Sequence, residues 1–357
     1  MDQVWWNHII KAHSFLEDIV TTTVKGSSIL LSLPPSIPWR DTLITLVIDR
    51  LRMENSKNKL DKIVCPDDEP GLYLLENYCK KEIRAKYRYG MSYAQFLGKC
   101  QETVLNDRYI WVSDISVSQI DEWLSFVVEY NENVADKTPG IFILEVDDDL
   151  LAKKCKKGIK TLVFNQTIGT YDKYAFCALL SSESKCKEYM RPYLAEVVSS
   201  ICGEDVELCA VCVANGADFL RAPYELISKV VENSYRSDGG KYSFVKSQED
   251  ITTSIWESQI KYIFPLIENY RRYFINRYSN VIKNVLPITN NVGEYVNAPE
   301  DIEIGPLCYL VRNNDISIST KEYMELEMYK NARNKLAHMT ILNNEELESI
   351  LKVGKHI

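Results

Sequence analysis

Three polar side chains near the C-terminal end of the sequence have the types that RNA cleavage without a metal ion requires: Arg333, Asn334 and His338. The imidazole of His338, with an ordinary pKa of about 6.5, can accept or donate a proton near neutral pH. The guanidinium of Arg333 keeps its charge and presents a planar set of donors that fits phosphate oxygens. Asn334 can orient either group or the phosphate. Groups of these types could together remove the proton of a ribose 2′-hydroxyl and stabilise the charge that develops on the phosphate.

A helix over residues 319–339 is expected to position these side chains. Ser319 and Glu322 have the spacing of an N-terminal capping box. Apolar residues recur at helical spacing along this stretch: Tyr323, Leu326, Tyr329 and Leu336. Arg333 and His338 are five positions apart, which is about 140° around the axis of a single helix. One helix alone therefore cannot form a compact site from them, but two copies that meet about a two-fold axis could complete one.

The run from Arg333 to His338, with Asn334 after the arginine, resembles the signature of the HEPN superfamily. Members of that superfamily are small helical bundles, and many are metal-independent endoribonucleases that act as composite dimers. The resemblance implies that His338 is the general base or acid, Arg333 the phosphate clamp and Asn334 the orienting group. It also implies that the C-terminal domain forms a homodimer, that RNA is the substrate, and that no cofactor or metal is needed.

The same residues also fit an ordinary helix end. Lysine, arginine and histidine are favoured in the last turn of a helix because they interact well with its carbonyl groups and its dipole. In that interpretation the helix only dimerises or docks a protein partner.

The N-terminal region contains a strand, a loop and a helix in an order typical of phosphate-binding domains. Residues 28–33 are an apolar run that predicts a buried strand, and residues 42–53 have helical spacing. The loop between them, residues 34–41, has the length of a P-loop. In a functional P-loop, glycines let backbone N–H groups surround the phosphates, a lysine reaches the terminal phosphates, and a hydroxyl holds Mg²⁺.

The residues of this loop do not suit that task. Pro34 and Trp39 occupy the glycine positions, Arg40 the lysine position and Asp41 the hydroxyl position. Proline has no N–H to donate, and tryptophan blocks the close approach of a phosphate. The sequence therefore predicts a degenerate loop that binds no nucleotide cofactor and has no ATPase activity.

Strands and helices continue to alternate beyond this loop. Residues 108–113, 140–148 and 160–165 read as strands, and residues 118–130 as a helix, which predicts a mostly parallel sheet covered on both faces. Asp147 and Asp148 at the end of one strand, and Asn165 after the next, resemble the magnesium-supporting and sensor positions of P-loop ATPases. Acidic residues after a buried strand are also common in solvated loops. Over residues 25–230 the chain resembles a degenerate AAA+ or STAND-type ATPase.

Composition and patterning predict how the chain is divided. The 357 residues are 46% hydrophobic and 26% charged, as in soluble globular proteins, and no apolar run is long enough to span a membrane. We predict an α/β domain with a helical lid over residues 1–232, a linker over 233–250 and a helical domain over 251–357. The N-terminus lacks the pattern of a signal peptide, so a cytoplasmic location is expected. With a net charge of −8, any RNA site must be a local patch.

Cysteine and histidine positions do not predict a metal site. The sequence has ten cysteines, and Cys209 and Cys212 form an isolated Cys-x-x-Cys pair in apolar surroundings. A zinc site would need a second pair or nearby histidines, and the sequence has four histidines: His8, His13, His338 and His356. Buried, reduced thiols are therefore expected.

The sequence as a whole predicts a degenerate P-loop-like α/β region followed by a HEPN-like helical bundle. The resemblances imply a metal-independent endoribonuclease, an effector of prokaryotic anti-phage defence or stress. The alternative is a non-catalytic interaction or regulatory module with a pseudo-ATPase domain. A nucleotide-sensing switch is a third possibility, which predicts that ATP shifts the melting temperature.

Overall fold

A computed structural model describes the chain from residue 1 to residue 354, apart from 89, 101–104, 135–137, 148–155, 165–168, 204, 290–292 and 294. The chain divides into two compact units, residues 1–172 and 173–357. The first is an α/β unit, and the second is mainly helical. The predicted fold class, an α/β region followed by an all-α region, is confirmed.

The first unit alternates strands and helices along the chain. Its strands are β1 (Ser28–Ser32), β2 (Lys59–Val64), β3 (Arg108–Ser113), β4 (Ile141–Val146) and β5 (Ile159–Val163). Its helices are α1 (Asp2–His8), α2 (Ile10–Val24), α3 (Arg40–Glu54), α4 (Pro70–Tyr78), α5 (Lys81–Arg84), α6 (Tyr93–Lys99) and α7 (Ile120–Asn133).

The five strands form one parallel sheet in the order β2-β3-β4-β1-β5. Strands β1, β3 and β4 lie at its centre and are almost entirely apolar and buried, as expected for a sheet covered on both faces. Side chains of β1, β3 and β4 join those of α4, α6 and α7 in one buried cluster. Helix α2 packs against β1, β5 and α3. Because successive side chains point to opposite faces of a strand, the central strands pack against helices on both faces of the sheet.

Two features of the first unit differ from the sequence prediction. Helical spacing of apolar residues over 5–24 predicts one helix, but the structure divides this stretch into α1 and α2, because Ile9 has an extended backbone with φ −91° and ψ 121°. Strand β2 was not predicted. It lies at the edge of the sheet with half of its side chains exposed, so its sequence lacks a buried apolar run.

The second unit begins within helix α8 (Thr170–Ser181). Its further helices are α9 (Arg191–Ile201), α10 (Val206–Arg221), α11 (Pro223–Asn233), α12 (Gln248–Arg277), α13 (Ser279–Val285), α14 (Ile304–Arg312), α15 (Thr320–Ala337) and α16 (Asn344–Gly354). A small antiparallel pair joins β6 (Ile288–Thr289) to β7 (Tyr295–Val296). Helix α12 is central, since α9, α15 and α16 all pack against it. It remains a single helix through Pro265, although a proline inside a helix usually kinks or breaks it.

The predicted linker, residues 233–250, lies inside the second unit. The side chain of Arg236 is only 10% exposed and forms an ion pair with Asp205 at 2.8 Å. The backbone N–H and the hydroxyl of Ser237 donate hydrogen bonds to Glu207 at 2.7 and 2.6 Å. A polar, glycine-containing sequence predicted a flexible connection, but these contacts fix the segment against α10. The compact unit therefore starts near residue 173 and includes the helices assigned to a lid.

Among the residues that the structure describes, no helix is long and apolar enough to cross a membrane.

Candidate functional site

The loop between β1 and α3 is packed against the protein. The N–H of Leu33 donates to the carbonyl of Val146 at 2.9 Å, and the N–H of Ile37 donates to the carbonyl of Pro34 at 3.0 Å. The side chain of Ile37 is fully buried, and Pro38 is also buried. The loop therefore turns apolar side chains inward and uses one of its N–H groups within its own turn.

Arg40, the first residue of α3, forms a buried ion pair with Glu145 of β4. Its Nε donates to Glu145 Oε1 at 2.9 Å, and its Nη2 contacts the same oxygen. The other oxygen, Oε2, accepts a hydrogen bond from Trp111 Nε1 at 2.6 Å. Glu145 is completely buried, whereas the Arg40 side chain is 30% exposed. The cation that the sequence places at a P-loop lysine position is thus neutralised within the chain.

The electrostatics of Arg40 agree with this geometry. Burial by itself lowers the pKa of Arg40, but Glu145 and two nearby aspartates outweigh it and raise that pKa above its usual value. Sequence reasoning predicted Arg40 and missed Glu145. The signal was present, because a single carboxylate interrupts the apolar sequence of β4, and a buried charge requires a partner.

The other predicted loop residues lie around this ion pair. Trp39 precedes α3 with a left-handed backbone, φ 46° and ψ 53°, and its carbonyl accepts a hydrogen bond from Trp6 Nε1 at 3.2 Å. Pro34 is half-buried and Asp41 is exposed. Asp147 is exposed just after β4. The predicted Asp148 and Asn165 lie outside the described residues.

The predicted RNA-cleaving residues lie in the last turn of α15 and just after it. The helix starts at the predicted capping box, in which Glu322 N–H donates to Ser319 Oγ at 3.3 Å and Ser319 N–H donates to Glu322 Oε2 at 3.0 Å. These hydrogen bonds, first those from Ser319, lower the pKa of Glu322 to about 2. The N-terminal end of α15 is therefore well defined.

The three motif residues have different surroundings. Arg333 is half-buried, and its Nη2 donates to Glu303 Oε2 at 2.9 Å. Asn334 and His338 are both exposed. Because they are four positions apart, they lie on one face of the helix, whereas Arg333 is turned away from His338. A single copy of the helix brings together two of the three predicted residues.

The end of α15 is held by hydrogen bonds to its last carbonyls. His338 is the C-cap residue, and Met339 follows with a left-handed φ of 55°. The N–H of Thr340 donates to the carbonyl of Lys335 at 2.9 Å, and the N–H of Met339 donates to that of Leu336 at 3.2 Å. This is the pattern of a Schellman motif.

Cations along α15 and on the helices packed against it are paired with carboxylates. These pairs are Lys330–Glu327, Lys335–Glu346, Arg312–Glu327 and Arg277–Glu322, with distances of 2.6, 2.6, 2.7 and 3.0 Å. Together with Arg333–Glu303, they leave this part of the surface close to neutral. Binding a polyanion here would require the nucleic acid to compete with these carboxylates.

The predicted thiol pair is buried as expected. Cys209 and Cys212 both lie in α10 with no exposed surface, and both are free thiols. Within the described part of the chain, no three side chains of histidine, cysteine, aspartate or glutamate are arranged to hold a metal ion.

Comparisons with known proteins do not place the chain in a family. No protein-family model matches it, and no curated protein matches its sequence. Among solved structures, the chain is similar to the Aeropyrum pernix ORC2 protein in its ADPNP-ADP complexes. The identity is 10% and the TM-score 0.33, over 97% of this chain and 94% of that one. A similarity this distant does not assign a function.

Proposed function

We propose that the α/β unit is a regulatory module of the pseudo-ATPase type. The observation that carries this proposal is the buried ion pair between Arg40 and Glu145 at the predicted phosphate loop. A phosphate-binding loop needs open backbone N–H groups and an available cation. Here Ile37 and Pro38 of the loop are buried, and the cation Arg40 is already paired with a carboxylate of the same chain.

The energetic argument favours the internal pair over a bound nucleotide. A phosphate that captured Arg40 would leave Glu145 buried with only the Trp111 hydrogen bond. Removing one partner of a buried ion pair costs about 3–5 kcal/mol, which is a large part of the roughly 8 kcal/mol that a micromolar ligand supplies. The module would therefore act through protein contacts, and the helical unit would provide dimerisation or docking.

Thermal melting tests this proposal directly. We expect millimolar ATP or ADP with Mg²⁺ to leave the melting temperature of the full-length protein unchanged, because a ligand stabilises only the state that binds it. A rise that grows with nucleotide concentration and disappears in Arg40→Ala would refute the proposal and favour a nucleotide-sensing switch.

A second candidate function is metal-independent cleavage of RNA, as an effector of defence or stress. The observation that favours it is the exposure of Asn334 and His338 on one face at the firmly capped end of α15. His338 would act as general base or acid, and Asn334 would orient it. Arg333 would contact the phosphate after leaving Glu303, and a homodimer would complete the site.

Incubation of total RNA and tRNA with the purified protein in EDTA tests this function. His338→Ala and Arg333→Ala should abolish cleavage, whereas His8→Ala, which removes an exposed histidine of the first unit, should not. Light scattering should show a dimer. Cleavage that survives in His338→Ala at an unchanged melting temperature would rule out this site.

A further inference from the structure

A pocket with a volume of about 300 Å³ lies among the helices of the second unit. Residues of α9, α10 and α12 line it, together with Pro223 at the start of α11 and the loop 341–344 that joins α15 to α16. An apolar cavity of about 150 Å³ can bind benzene. The pocket in the second unit therefore has room for a substituted ring.

Hydrogen bonds hold the loop 341–344 in place on one side of the pocket. The N–H of Leu342 donates to Gln259 Oε1 at 2.7 Å, and Gln259 Nε2 donates to the carbonyl of Leu342 at 3.0 Å. Asn344 Nδ2 donates to the carbonyl of Leu220 at 3.2 Å. The pocket is therefore already formed in the free chain, and a ligand would not have to order this loop in order to bind.

Tyr193 brings a buried hydroxyl group to the pocket. The residue is 3% exposed, and Gln259 beside it is 2% exposed. Because Gln259 Oε1 accepts a backbone N–H, the other end of this amide is the donor, and Nε2 donates to the Tyr193 hydroxyl at 3.2 Å. Among the described residues no acceptor is found for the proton of that hydroxyl. Burial raises the pKa of Tyr193, so the proton is retained at neutral pH.

Arg221 is the one charged side chain among the described residues that line the pocket. It pairs with Asp218 at 3.1 Å, but the two side chains are 73% and 71% exposed. Such an exposed pair contributes little free energy. Arg221 can therefore bind another carboxylate without leaving a buried charge behind, unlike Arg40, whose partner Glu145 has no exposed surface.

The walls between these two polar groups are mostly apolar. Val197 of α9 is buried, and Leu220, Ile255 and Ile341 are half-buried. Half-buried apolar side chains lose further contact with water when a ligand covers them, which favours an apolar ligand body.

We propose that this pocket is a binding site for a small apolar carboxylate. Arg221 binds the carboxylate at the exposed side, and the apolar walls contain the body of the ligand. Tyr193 donates its hydroxyl proton to an acceptor, such as a carbonyl oxygen, at the buried end. The site lies in the helical unit and is separate from the degenerate phosphate loop, so it adds a ligand to the functions proposed above.

Three para-substituted or parent ring compounds test each contact in the full-length protein. 4-Acetylbenzoate carries both the carboxylate and the carbonyl, 4-ethylbenzoate lacks the carbonyl, and acetophenone lacks the carboxylate. Saturation-transfer NMR and calorimetry should show that 4-acetylbenzoate binds most tightly, with a dissociation constant of about 1 mM or lower. Because the ethyl group is the more apolar, weaker binding of 4-ethylbenzoate would identify the missing acceptor as the cause. No binding by any of the three compounds at about 5 mM would overturn the proposal.

Substitutions assign each contact to a residue. Tyr193→Phe should weaken 4-acetylbenzoate binding about tenfold and leave 4-ethylbenzoate unaffected. Arg221→Gln should weaken both benzoates about threefold and leave acetophenone unaffected. The matched control is Arg272→Gln, a change at an exposed arginine of the same unit about 20 Å along α12 from Gln259. Equal effects of the two arginine substitutions would overturn the proposal.

Two further measurements locate the ligand without removing a proposed contact. Ile341→Trp, which adds bulk to a half-buried wall, should abolish binding of all three compounds. Amide hydrogen exchange in residues 341–344 should slow when 4-acetylbenzoate is added, whereas exchange in α13 should not change. Binding that survives Ile341→Trp at an unchanged melting temperature, or slowed exchange only outside the pocket, would refute the site. The comparison of the three compounds in the wild type stands even if Tyr193→Phe folds poorly.

Discussion

Arg40 and Glu145 depend on each other for their stability in the interior. Glu145 has no exposed surface, and its two oxygens are satisfied by Arg40 and Trp111. Burying a charged group costs several kcal/mol in lost hydration, and these donors offset that cost. The pair lies 105 residues apart in sequence, so the local pattern of β4 marks Glu145 as needing a partner but does not show which cation it is. The loop position of Arg40 was predictable, but the residue that neutralises it depends on the sheet register.

Replacing Arg40 by alanine should destabilise the protein by about 3–5 kcal/mol, since Glu145 would keep its burial and lose its charge partner. Urea unfolding monitored by tryptophan fluorescence measures this change. The matched control is Arg52→Ala in the same helix. Arg52 is 67% exposed and pairs with Asp49 at 3.8 Å, so its removal should cost about 0.5 kcal/mol or less. Equal losses in the two variants would show that the buried pair is not needed for stability.

Because of Glu322, the stability of the second unit should fall as the pH is lowered into the acid range. The folded-state pKa of Glu322 is lowered to about 2, below the ordinary glutamate value of about 4.3. Its contribution is therefore fully present above the ordinary value and is lost as pH falls through the folded-state value. The melting temperature of the wild type should exceed that of Glu322→Gln at pH 7, and the difference should shrink steadily towards pH 2. A difference that stays constant over that range would mean that the carboxylate charge does not contribute.

At the scale of elements, strong local signals gave correct predictions and weak ones failed. The capping box and apolar spacing predicted α15 to within about two residues at each end, which is the usual uncertainty of helix boundaries. The break at Ile9 and the edge strand β2 were missed. Neither has a proline or glycine, nor an apolar run, to mark it. Both are decided by tertiary packing, which overrides local propensity.

The left-handed residue after α15 provides a test of this element. Met339 has a φ of 55° and is 69% exposed, so its side chain gains little from packing. Met339→Gly should stabilise the protein by about 1 kcal/mol, because glycine adopts this conformation without steric cost. Met324→Gly, at a 67% exposed position inside the same helix, should destabilise it by about 1 kcal/mol. Chemical denaturation of both variants measures the two changes, and the same sign in both would contradict this explanation.

At the scale of the whole chain, fold class was predictable and the division into units was not. Alternating strand and helix patterns indicated the parallel sheet, since their periods differ. The segment after residue 232 looked like a linker because it is polar and contains Gly239 and Gly240. Composition does not reveal that Arg236 of this segment is buried against two carboxylates. The same holds for the predicted RNA-cleaving site. The sequence predicts its residues, but not how two copies of the chain would place them relative to one another.

The observed division predicts which fragments fold. Residues 173–357 should unfold cooperatively as an isolated fragment, because α12 keeps its packing against α9 and α16. Residues 251–357 should not, because that fragment lacks α9 and exposes a buried face of α12. Circular dichroism melting curves and amide hydrogen exchange distinguish the two. An equally sharp transition in the shorter fragment would support the boundary that the sequence suggested.

The ion pair in the first unit also bears on how such a loop could change over evolutionary time. Exchange of Arg40 for lysine, the residue that phosphate loops use, would leave a cation that Glu145 still binds. Removal of Glu145 alone would release the cation beside a loop in which Ile37 and Pro38 are buried. Each single step towards nucleotide binding thus yields no binding, and some steps reduce stability. Under the proposed function, a chain in this state would stay there because several substitutions would have to occur in order, and an ancestral loss of nucleotide binding would behave as a ratchet.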